Sequence, residues 1–123
     1  MNQRSLKTSL LACLLLPSVA MAQLADNTYT TTDTTNANTG SAAASTGTSG
    51  VKLLKFEYTQ NNVTHIVNLA WSPTAYLNGA YVDNAENPTK RWWFVVLDNG
   101  KRTYGYETKQ ADGTWKTQSS GTY

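Results

Sequence analysis

Cysteine and histidine each occur once in the 123 residues, as Cys13 and His65. One thiol cannot close an intrachain disulfide, and one imidazole with one thiol falls short of a structural zinc site. Long apolar runs are missing too. The longest, Leu10 to Val19, is broken by Pro17 and stays well under the ~20 residues that span a bilayer as a helix. No stable membrane span is expected. Gly-x-Ser-x-Gly is absent around Ser72, Ser119 and Ser120, so no nucleophile elbow is indicated. Asp83, Asn84 and Glu86 lack the spacing of a calcium loop, and no metal or other cofactor is called for. His65 shares the apolar face of its strand with Val63, Val67 and Leu69, which suits a core or edge histidine better than a general base lacking a placed partner. Glu57 and Glu107 read as surface charges beside neighbouring bases. These absences argue against an enzyme.

What opens the chain is an export signal. Arg4 and Lys7 precede the apolar run, and Ala20-Met21-Ala22 supplies small residues for cleavage before Gln23. Residues 1–22 are therefore expected to be a cleaved signal peptide, and the product periplasmic or secreted. Leu10-Leu11-Ala12-Cys13 also resembles a lipidation site, which makes a lipid anchor through Cys13 the alternative. Cleavage there would strand the apolar residues 14–22 on the product, and this favours the simple signal. Removing residues 1–22 leaves eight basic residues against eight acidic ones. A neutral chain has no basic stripe for nucleic acid.

Residues 23–50 are mostly Thr, Ser, Ala, Asn and Gly, with Leu24 and Tyr29 the only large apolar side chains. Such a composition buries little and is expected to be a disordered linker. Residues 51–123 then form one small β domain. Leu54, Phe56 and Tyr58 alternate with Lys55, Glu57 and Thr59, and Val63, His65, Val67, Leu69 and Trp71 alternate with Thr64, Ile66, Asn68 and Ala70. These are two half-buried strands, joined by Asn61-Asn62, whose side chains suit a tight hairpin turn. A short strand fits residues 80–82 within the irregular stretch Ser72 to Lys90, itself a site candidate by position. Trp92 to Leu97 is the most apolar run.

A two-residue Asn99-Gly100 turn pairs Leu97 with Arg102, Val95 with Tyr104 and Trp93 with Tyr106. A second turn at Asp112-Gly113 sets Trp115 opposite Gln110. One face then carries Trp93, Tyr104, Tyr106 and Trp115, and the other carries Trp92, Phe94 and Val96, with Gly105 leaving room for Phe94. The fold expected is all-β: a small antiparallel sandwich or partial barrel of four to six strands, behind a signal peptide and a linker.

Flat aromatic side chains on a rigid sheet stack on sugar rings or anchor interfaces. The expected function is an exported, non-enzymatic binding module that presents Trp93, Tyr104, Tyr106 and Trp115 to a glycan or protein partner. One alternative is an assembly subunit of a surface structure, self-associating through a free edge strand. A small periplasmic inhibitor using the 72–90 loop is a second alternative.

Overall fold

The computed structural model describes residues 19–21, 23–34, 37–77 and 79–123. The signal-peptide and Cys13 readings rest on residues 1–22 and fall almost wholly outside these. The strands are β1 (Val19–Met21), β2 (Asn27–Asp33), β3 (Thr39–Thr46), β4 (Lys52–Gln60), β5 (Val63–Ser72), β6 (Ala80–Val82), β7 (Lys90–Leu97), β8 (Arg102–Lys109) and β9 (Trp115–Thr122). All neighbouring pairs are antiparallel. β2 to β9 follow one another round a closed eight-stranded barrel, and β1 adds to the edge of β7 alongside β6. Among the described residues no helix is long and apolar enough to cross a membrane.

The all-β class and the antiparallel pairing are as the alternation predicts. The strand number is not, because four to six strands omit two that composition conceals. β2 and β3 lie in the stretch 23–50 that composition assigns to a linker. Ala42 pairs with Phe56 and Ala44 with Leu54, and both alanines are buried. Small side chains opposite bulky ones are what a narrow barrel interior requires. A composition reading that counts large apolar residues overlooks them.

Turn chemistry sets the registers. Asn61 and Asn62 take φ of 53° and 62°, the paired left-handed conformations of a two-residue hairpin turn. Gln60 is then opposite Val63, Tyr58 opposite His65, Phe56 opposite Val67 and Leu54 opposite Leu69, in agreement with the sequence alternation.

The β7–β8 turn departs from expectation. Leu97 N–H donates to the Lys101 carbonyl at 2.7 Å and Gly100 N–H to the Leu97 carbonyl at 2.8 Å, so the loop is Asp98-Asn99-Gly100. Three-residue loops of this kind end on a left-handed residue, and Gly100 has φ of 84°. The longer loop moves the register by one: Val96 faces Arg102, Phe94 faces Tyr104, and Trp92 faces Tyr106. A one-residue change reverses every side chain of a strand between core and surface. Trp92, Phe94 and Tyr104 consequently form the core with Leu54, Phe56, Leu69 and Tyr81. Gly105 makes room for Trp93, its cross-strand partner, and not for Phe94.

The same three-residue loop recurs at Ala111-Asp112-Gly113, closed by Gln110 N–H to the Thr114 carbonyl at 2.7 Å. Trp115 therefore pairs with Lys109, not Gln110. The barrel closes where β2 meets β9, with Thr32 opposite Thr122, Asp33 opposite Gly121, and Thr34 N–H donating to the Ser120 carbonyl at 2.8 Å.

Candidate site in the barrel interior

The two ends of the barrel differ. At one, Leu24 is buried and its N–H donates to the Tyr81 hydroxyl at 2.8 Å, deep in the core. The chain just before β2 thereby occupies that end, beside a recess of about 260 Å³ among Leu24, Tyr29, Phe94, Val96, Arg102 and Tyr123. At the other end a cavity of about 450 Å³ stays open, within the range of small-molecule sites, roughly 300–1,000 Å³.

Inward-facing positions of successive strands build this cavity. Phe56 and Tyr58 on β4, Trp92 on β7, and Tyr104 and Tyr106 on β8 give an aromatic wall. Trp92 and Tyr106 stack with centroids 3.8 Å apart and planes 8° apart, and Phe56 lies 5.5 Å from Trp92. Polar groups are interleaved with them: Thr31 and Asp33 on β2, Gln60 beyond Tyr58 on β4, and Gln118 and Ser119 on β9, the strand beside β8. Ser119 Oγ donates to Asp33 Oδ2 at 2.9 Å and lies 3.3 Å from the Tyr104 hydroxyl. Trp92 is buried, yet its indole N–H has no hydrogen-bond partner among the described residues.

Burial raises the hydroxyl pKa of Tyr104 above 10.0; the Ser119 contact works against this, and the Asp33 charge adds to it. Burial likewise raises Tyr106, with the nearby Tyr58 and Asp83 adding to the effect. Tyr81 and Tyr123 are raised chiefly by burial as well. The folded protein thus holds these protons more tightly than the unfolded chain does. Their stabilising contribution is complete below about pH 10, the pKa of a free tyrosine, and is lost as pH rises through the higher folded values. Thermal melts followed by circular dichroism should show a midpoint that falls above about pH 10, with a smaller fall for Tyr104→Phe.

The four residues expected to share a platform are divided between the two faces. Tyr104 and Tyr106 are inside. Trp93 and Trp115 are outside, on a separate structure centred on Arg91. Its guanidinium lies 4.1 Å from the Trp115 ring and 4.5 Å from the Tyr76 ring, while Tyr76 stacks on Trp93 at 5.9 Å. Arg91 also pairs with Glu107 at 2.6 Å and donates to the Ala75 carbonyl at 2.9 Å. This cluster ties Ala75 and Tyr76 to the sheet, so its aromatic faces are largely engaged within the chain.

Other candidates find ordinary roles. His65 is exposed and stacks on Tyr58 at 4.9 Å. Glu57 and Glu107 alternate with inward-facing residues and so lie on the outer face. Asp83 accepts from the N–H groups of Thr89 and Lys90, at 2.9 Å and 3.0 Å, and from the Thr89 hydroxyl, closing the β6–β7 loop. Among the described residues no group of three or more His, Cys, Asp or Glu is placed to hold a metal ion.

Sequence reasoning missed Phe56, Tyr58, Trp92 and the polar lining groups as site residues. The signal available was the alternation of β4, which already puts Phe56 and Tyr58 on one face. Comparison of the chain with protein-family models, curated proteins and solved structures finds no match.

Proposed function

We propose that this chain is an exported, non-enzymatic binding module whose ligand, a saccharide end, enters the open end of the barrel. The observation that carries this reading is the 450 Å³ cavity, whose lining interleaves aromatic rings with amide, hydroxyl and carboxylate groups. Pyranose rings present C–H faces to aromatic side chains and hydroxyl edges to polar ones. Aromatic recognition, expected from the sequence on an outer sheet face, falls to the interior instead. Export rests on the leader pattern, and cleavage before Gln23 retains Leu24 and all eight barrel strands. The product would be periplasmic or secreted, or membrane-held if Cys13 is lipidated instead.

A panel of oligosaccharides titrated against tryptophan fluorescence tests this. Gln118→Trp, at an exposed position lining the cavity mouth, should abolish a binding response that Trp115→Ala on the outer face leaves intact. Loss in Trp115→Ala with retention in Gln118→Trp would overturn the interior site.

A second reading, an assembly subunit, is favoured by one feature. β5 pairs with β6 only through Ala70 to Ser72, so residues 63–68 have no strand on the side away from β4 among the described residues. Val63 and Ile66 are exposed there, and free edges template pairing with other chains. Concentration-dependent oligomers together with no saccharide response would favour it.

A further inference from the structure

We propose that the exported chain carries a modified end: Gln23, freed by cleavage, closes on itself to a pyroglutamyl lactam that seats in the recess beside Leu24. This rests on the export reading, with cleavage before Gln23, and not on the ligand of the open end.

The reaction needs only the residue itself. Cleavage turns the Gln23 peptide nitrogen into an α-amine, whose ordinary pKa of about 7.7–8.0 leaves part of it neutral near pH 7. The neutral nitrogen attacks the side-chain carboxamide carbon, Cδ. The N–Cδ bond forms, the Cδ–Nε2 bond breaks, and ammonia departs with one proton from the attacking amine. No oxidant or co-reactant enters.

The fold leaves Gln23 able to react and fixes the residue after it. Gln23 is exposed, lies outside the described strands, and makes no side-chain hydrogen bond to a described residue. Its carboxamide is free to bend back on the amine. Leu24 by contrast is buried, with its N–H donating to the Tyr81 hydroxyl at 2.8 Å. That anchor holds the new end against the recess of about 260 Å³, which Gln23 itself borders.

The recess favours the lactam over the free amine. Arg102 is the only Lys, Arg, His, Asp or Glu among the lining residues, and its guanidinium lies 4.6 Å from the Tyr123 ring and 5.3 Å from the Tyr29 ring. It has no carboxylate partner among the described residues. Asp26, the acid closest in sequence to Gln23, accepts from Lys52 and Thr46 instead. An ammonium here meets a like charge and an apolar wall, and both disfavour the charged form. Cyclisation removes the terminal charge, and the neutral ring suits the neighbouring Leu24, Phe94 and Val96.

The test is the intact mass of the product exported after expression of the full-length chain, with Edman degradation of the same sample. The expected product starts at Gln23, is lighter by one ammonia than the free-amine form, and is blocked to Edman degradation. Gln23→Ser cannot form the lactam and should be sequenced normally. At low salt the cyclised chain should melt above Gln23→Ser, and added salt or Arg102→Gln should narrow the gap. Equal midpoints at low salt overturn the seat in the recess. A product that starts at Gln23 and keeps a free amine overturns the inference and leaves export standing. A product that starts at any other residue, lipidated Cys13 included, overturns the cleavage before Gln23 as well.

Discussion

Trp92→Ala lowers the unfolding free energy by about 3–5 kcal/mol, the range found for truncating a large buried aromatic residue, whereas Trp93→Ala lowers it by no more than about 1–2 kcal/mol. The two residues are adjacent and chemically identical, so the contrast isolates their surroundings. Trp92 is 1% exposed and packs against Phe56 and Tyr106 in the barrel interior. Trp93 lies on the outer face over Gly105 and beside Tyr76. Removing the first opens a cavity that the surrounding strands cannot collapse to fill. Removing the second leaves a dent that water occupies. Urea denaturation of both variants, with the midpoint and slope compared with the parent, measures the difference. The register implied by a two-residue Asn99-Gly100 turn would reverse the order, so a larger loss for Trp93→Ala would count against the observed pairing. Many domains are stable by only 5–15 kcal/mol, and Trp92→Ala is expected to populate unfolded chains under mild heating.

Gly121→Val should open the barrel where β2 meets β9. A Cβ at Gly121 would collide with the main-chain carbonyl of Thr32 and crowd Asp33 Cα. The obstruction is backbone, which cannot turn aside as a side-chain tip can. This seam is also short, with two paired positions, Thr32–Thr122 and Asp33–Gly121. Overpacking usually costs about 1–3 kcal/mol, and here the strain falls on a contact with few hydrogen bonds to hold it. The expected result is loss of at least about 3 kcal/mol and accelerated hydrogen exchange in residues 27–33 and 117–122, ahead of the β4–β5 hairpin. Asp33 and Ser119 adjoin the seam and line the cavity, so ligand binding should disappear with it. Exchange that stays uniform across the sheet would show that β2 and β9 are not held in this way.

The β4–β5 hairpin was legible in full because Asn61-Asn62 admits one short turn and both flanking strands alternate cleanly. The β7–β8 hairpin was not. Asp98-Asn99-Gly100 fits a two-residue turn on Asn99-Gly100 or a three-residue loop ending at Gly100, and Trp92 to Leu97 is apolar at every position. With no alternation to arbitrate, the choice of turn decides the faces, and half of the candidate site followed the wrong one. Thr48-Ser49-Gly50 and Ala111-Asp112-Gly113 close their hairpins in the same three-residue form, with φ of 86° and 89° at their glycines. That recurrence is visible only once the pairing is known. Thr31, Asp33, Gln118 and Ser119 were illegible for another reason. Polar residues on a strand read as solvent-facing until a closed sheet turns them toward an interior.

An all-antiparallel β protein, the faces of β4 and β5, the short strand at 80–82 and an aromatic-rich β7–β8 unit were readable from the residues, because alternation and left-handed turn residues act within a few positions of one another. It took the folded chain to show that Asn27–Asp33 and Thr39–Thr46 are two barrel strands, that Trp92 lies inside while Trp93 lies outside, and that the sheet closes around an open cavity. Each of these depends on what a side chain meets once strands pair and the sheet closes: an alanine becomes core when Phe56 or Leu54 pairs with it on the next strand, and a polar side chain becomes a binding group when closure surrounds it with tyrosine and tryptophan.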